Sequence, residues 1–133
     1  MLKQIGNYLE TKWSARLMGS FYFLAGFNHF INPEFYLPLI PPYLPYPEEI
    51  NVLSGIVEII LGIGVLLPRT RKVASYAIIA MLLAFIPSHV YFIQIDSCIE
   101  AGLCVPEWIG WLRLMIIHPI LLFWAWEVGK SSG

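Results

Sequence analysis

Charged side chains are scarce in this 133-residue chain: eight basic and nine acidic residues make 13% of it, against roughly 25% in an average soluble domain. Hydrophobic residues make up 58%. A water-soluble domain of this length buries only about two-thirds of its unfolded surface and has no use for so much apolar side chain. Other absences exclude whole classes of chemistry. There is no glycine-rich phosphate loop and no G-x-S-x-G elbow, which removes nucleotide-phosphate and serine-hydrolase readings. The net charge of −1 and the lack of a basic helix leave no nucleic-acid surface. Only two cysteines are present, Cys98 and Cys104, and no C-x-x-C pair. No internal repeat or low-complexity tract interrupts the chain.

What is there instead is long apolar runs. Four of them, at about 13–31, 50–67, 73–95 and 108–126, meet the length of about 20 residues that a membrane-spanning helix needs. None alternates as a strand would, and a span must satisfy its own backbone hydrogen bonds. The expectation is an all-α integral membrane protein, a single domain over 1–133 built as an antiparallel four-transmembrane-helix bundle. A cleaved signal peptide does not suit the first run, because Gly26-Phe27-Asn28-His29-Phe30 stands where small cleavage-site residues belong. Lys3, Lys12, Arg16, Arg69, Arg71, Lys72 and Lys130 all fall at one end of the predicted bundle, whereas the loops 32–49 and 96–107 contain no Lys or Arg. The positive-inside rule then places both termini in the cytoplasm and the protein in the cell (inner) membrane, as a multi-pass protein.

The loop "NPEFYLPLIPPYLPYPEE" has six prolines and cannot be one regular helix. It is too apolar to float in water. An aromatic belt at the membrane interface is the plainer reading, and a lid over a site is the alternative. Gly19 and Gly26 are seven apart on the first run, as are Gly55 and Gly62 on the second, a spacing that lets helix backbones approach closely in lipid. The short PRTRK turn makes runs two and three an antiparallel hairpin. Pro87 and Pro119 interrupt runs three and four, each freeing a carbonyl one turn back.

Polar residues inside the runs gather toward the loop end. Counting from that end at about 1.5 Å per residue puts Ser54 about 6 Å deep, Arg113 and His89 about 8–9 Å, Glu58 about 12 Å and His118 about 15 Å, with His29 near the surface. An ionisable group facing lipid costs at least about 2.5–3.5 kcal/mol, so such residues turn inward and find partners. Glu58 and Arg113 are expected to pair, with Ser54 one turn above Glu58 on the same face. The pair is read either as glue between helices or as part of a ligand site. His118, five residues from Arg113, is expected to point about 140° away from it. His29, His89 and Glu58 lack the close spacing of a metal motif, so no metal is expected. Cys98 and Cys104 are expected to form a disulfide closing their loop.

The segments "FLAGFNHFINPEFYLPLIPPYLPYP", "LSGIVEIILGIGVLLPRTRKVA", "FIPSHVYF" and "WLRL" together resemble the DoxX-like family of small bacterial membrane proteins. The resemblance covers roughly residues 16–126. It implies a four-helix membrane bundle in which His29, Ser54, Glu58 and Arg113 match recurring positions. Two stretches depart from the family's usual pattern: Pro87-Ser88-His89 stands where P-A-N is frequent, and Arg113-Leu114-Met115-Ile116-Ile117 where R-L-P-L-Q is frequent. Family members named for redox or oxidative-stress systems imply a small lipophilic ligand such as quinone; the intramembrane polar residues His29, Ser54, Glu58, His89 and Arg113 are the candidates to bind it, with Phe23, Phe27 and Trp111 as candidate apolar walls. Others imply a non-enzymatic scaffold or assembly factor, in which the polar layer is structural and the partner is another membrane protein or a second copy.

Overall fold

In a computed structural model of the chain, residues 2–99 and 104–132 are described, and every regular element among them is helical. Helix α1 (Leu2–Ile31) leads through a short α2 (Pro33–Tyr36) and a tight 3-10 turn (Leu37–Leu39) to α3 (Pro47–Leu66). Then come α4 (Arg71–Ala84), α5 (Ile86–Gln94), α6 (Glu107–Leu112), a π-turn (Arg113–Ile117) and α7 (His118–Ser131). Three continuous helical stretches, Pro47–Leu66, Arg71–Gln94 and Glu107–Ser131, are long and apolar enough to cross a membrane. Helix α1 starts well before the expected residue 13, and the proline-bearing stretches carry the expected interruptions.

The surface is that of a membrane protein. Trp13, Leu17, Leu24 and Ile31 on α1, and Leu53, Trp108, Met115 and Phe123 elsewhere, are each more than 60% exposed. So much large apolar surface matches lipid as the solvent of these helices.

Helices α1 and α3 pack antiparallel through their glycines. A Cβ on Gly26 would stand 2.6 Å from the Gly55 carbonyl oxygen, and one on Gly62 would stand 2.7 Å from that of Gly19. Both glycine pairs are therefore points of backbone contact, and no larger residue fits without parting the helices. The α3–α4 hairpin is closed by side chains on carbonyls that α3 leaves open at its C-terminus. Arg71 Nε donates to Val65 O (2.8 Å) and Thr70 Oγ1 to Gly64 O (2.7 Å).

At the end holding this hairpin and the termini, Ala15, Met18, Tyr22, Val65, Ala74, Ile78, Met81, Leu82, Ala125 and Val128 form the buried core. At the opposite end lie the two long loops. There Cys98 and Cys104 are joined by a disulfide, Val105 N donates to Ser97 O (2.9 Å), and Ser97 fills the space a side chain at Gly110 would need. These contacts dock the second loop on α6, just ahead of Arg113.

The π-turn follows from Pro119. Proline has no N–H and crowds the carbonyl one turn back, and His118 N–H bonds Arg113 O, five residues before it, instead of the α-helical partner. One wide turn changes the angle between positions 113 and 118 from that of a regular helix. The expected divergence of about 140° between their side chains assumed regular α-helix geometry, which this turn does not have.

Candidate functional site

His29 and Glu58 form the centre of the buried polar layer. They are 7% and 6% exposed, and His29 Nε2 lies 3.0 Å from Glu58 Oε2. Side chains on a helix lean toward its N-terminus, so in this antiparallel pair His29 leans down along α1 while Glu58 leans up along α3. That closes the difference in level between them. Gly55 makes the passage: a Cβ there would come within 2.9 Å of His29 Cβ.

Asn51, about two turns nearer the loops than Glu58 on α3, fixes the imidazole. Its Nδ2 donates to the His29 carbonyl (3.0 Å), which turns its Oδ1 toward His29 Nδ1 (2.7 Å). An amide oxygen only accepts, so Nδ1 carries a hydrogen. Between Nε2 and the facing carboxylate oxygen there is then room for one proton, held as imidazolium with carboxylate or as neutral imidazole with carboxylic acid. The pair has no net charge in either arrangement.

Tyr36 lies flat on His29, with ring centroids 3.8 Å apart and planes at 19°. Asn28 Nδ2 donates to its hydroxyl (2.6 Å), and Asn32 Nδ2 donates to Asn28 Oδ1 (2.7 Å). Burial first, and the Glu58 charge second, push the Tyr36 phenol above its ordinary pKa against the hydrogen bond from Asn28, so it stays a neutral phenol.

The first loop covers this layer. Phe35, Tyr36, Leu39, Ile40, Pro41 and Leu44 roof a cavity of about 210 Å³ whose walls include His29, Asn51, Ser54 and Glu58 on one side and Ser88, His89 and Arg113 on the other. Ser88 Oγ donates to Leu39 O (2.9 Å) and pins the roof to α5. The belt and lid readings divide the loop between them, since Tyr43 and Tyr46 are about 70% exposed while Leu39 and Pro41 are buried beneath.

Arg113 stands apart from Glu58, and this corrects the expected pairing. Among the described residues no carboxylate lies within ion-pair distance of it. Its guanidinium sits over the Phe92 ring, 4.8 Å from the centroid, with Nη1 buried and without a hydrogen-bond partner. Such a contact offsets about 0.5–2 kcal/mol of a burial cost of at least about 2.5–3.5 kcal/mol. His89 Nδ1 and His118 Nε2 are also buried without partners, and the two imidazoles meet edge to face at 5.0 Å.

The cavity brings together all five expected ligand-site residues, His29, Ser54, Glu58, His89 and Arg113. The expected walls Phe23, Phe27 and Trp111 are not among its lining. Phe27 and Trp111 turn outward, 43% and 48% exposed, and Phe23 stands at the Gly62 contact with its ring against Phe27. The roof supplies much of the apolar lining instead, joined by Ile50, Ala84, Phe85 and Pro87. Asn51, Tyr36 and Ser88 were not anticipated. A period of 3.5 residues from Asn51 through Ser54 to Glu58 is a readable sign for the first, while roof contacts between distant segments have no local sign.

The chain belongs to the family described as Domain of unknown function (DUF8561), which matches residues 18–129. No curated protein and no solved structure matches it. The matched stretch contains every residue of the polar layer and its roof.

Proposed function

We propose that this protein is a four-span, multi-pass component of the bacterial inner membrane, with both termini cytoplasmic, that binds a small lipophilic ligand by its polar head. The carrying observation is the roofed cavity, polar on two facing walls and apolar above. A polar layer acting only as glue closes on itself; this one keeps partnerless nitrogens on Arg113 and His89, side chains that line the cavity. An apolar cavity of about 150 Å³ is enough for benzene, so about 210 Å³ suits a single substituted ring or a compact head group. A quinone head, with two carbonyl acceptors, is one such group, and the DoxX-like resemblance supports a place in a redox or oxidative-stress system.

The test is organic extraction and mass spectrometry of the protein purified from native membranes. A stoichiometric lipophile is expected from the natural sequence. Ser54→Phe, which fills the cavity from α3, is expected to lose it while keeping the same Tm or gaining a little. Recovery of phospholipid alone, in equal amount from both proteins, overturns the reading.

A further inference from the structure

The charges around the cavity carry the argument further, resting on the reading of it as a ligand site. Glu58 is the only carboxylate among the lining residues, and His29 has already taken it up at 3.0 Å. Asn51 holds the hydrogen on His29 Nδ1, so the pair holds one shared proton and contributes no net charge. Arg113 remains. It is a permanent cation and rests on the face of the Phe92 ring.

The neutral groups nearby can also donate. His89 Nδ1 is buried and without a partner on the same cavity wall, and an imidazole nitrogen can present an N–H. Ser88 is spent on the roof at Leu39, but Ser54 stands on the facing wall as another donor. Among the described residues the cavity therefore has one uncompensated positive charge, spare donors and an apolar roof. That set is complementary to an oxyanion on an apolar tail, because a guanidinium bonds such a head with charge assistance in a medium of low dielectric.

We infer that the ligand is an anionic amphiphile, whose singly charged carboxylate or phosphate head sits between Arg113 and His89 with the part of its tail nearest the head beneath the proline-rich roof. The His29–Glu58 pair forms the neutral far wall. A neutral head leaves the Arg113 charge unbalanced, and a cationic head is repelled by it.

The probes are palmitate, its methyl ester, phosphatidylglycerol and a short-chain ubiquinone, each titrated into full-length protein in an uncharged detergent and followed by Tm and by native mass spectrometry. Palmitate or phosphatidylglycerol is expected to bind saturably, at least tenfold more tightly than methyl palmitate, and the contrast between those two arms tells free acid from phospholipid. Arg113→Gln is expected to reduce the acid's affinity at least tenfold and leave the weak binding of the ester unchanged, with Arg113→Lys intermediate. Should Arg113→Gln fail to fold, the acid-to-ester ratio in the natural sequence still decides. Equal binding of acid and ester overturns the inference. Preferential binding of ubiquinone overturns it too, while leaving the proposed function standing; binding of none of the four overturns both.

Discussion

The end of the bundle holding the termini and the end holding the loops pack the same helices with different chemistry. At the first, Met18, Val65, Ile78, Met81, Leu82 and Ala125 are buried together and apolar, and their contacts are dispersion and close fit. At the second, the same helices or their continuations present His29, Asn51, Glu58, His89 and Arg113 around a cavity. The glycine contacts tie the two: Gly19 against Gly62 toward the core, Gly26 against Gly55 toward the cavity. A rigid apolar half can hold α1 and α3 in register while the other half keeps polar atoms unpaired. Unpaired buried polar atoms are destabilising; Tyr22 and Ser75 each carry one at the core end, whereas those of Arg113 and His89 at the other end belong to residues that line the cavity.

Truncation in the core should give the largest effect. Ile78→Ala, at a fully buried position, is expected to destabilise by about 2–5 kcal/mol, read as lower Tm in detergent, with ligand affinity per folded molecule unchanged. An equal loss of affinity would mean that the two ends are not separate. The next effect concerns the neutral pair. Glu58→Leu leaves His29 Nε2 buried without a partner and is expected to cost about 1–3 kcal/mol. Glu58→Gln can donate an amide hydrogen to that nitrogen and is expected to cost less than half as much; a larger loss for Gln than for Leu would contradict a shared single proton. Smallest in stability is Ser88→Ala, which removes the roof's bond to Leu39 at about 0.5–1.5 kcal/mol. Its expected signature is faster amide exchange through residues 33–44 with none in α4, and uniform exchange would show that the roof is not an independent lid.

Much of this was readable along the chain, for reasons that differ by residue. Apolar run length reveals helices because a span leaves no other route for its backbone hydrogen bonds. The seven-residue spacing of Gly19/Gly26 and Gly55/Gly62 is a local sign of close packing, and the structure places both pairs in backbone contact. Five members of the polar layer, His29, Ser54, Glu58, His89 and Arg113, were readable too, since each is an ionisable or polar residue in an apolar run. Their partnerships were not. Counting depth treats a side chain as level with its Cα, and on that count Glu58 and Arg113 are near neighbours. The lean of side chains toward each helix N-terminus brings His29 to Glu58 instead, and the π-turn ahead of Pro119 alters the phase of the last helix.

Composition and spacing by themselves determined a helical membrane chain, the faces on which α1 and α3 meet, and five of the polar residues that line the cavity, because each of these depends on local period and on the cost of leaving a polar group in lipid. Tertiary structure decided which of the five pair and which stay open. A partnership between helices depends on their direction, on a glycine that lets one ring pass, and on a turn one residue wider than the rest. Through those the carboxylate of Glu58 was given to His29, and the charge of Arg113 was left facing the cavity.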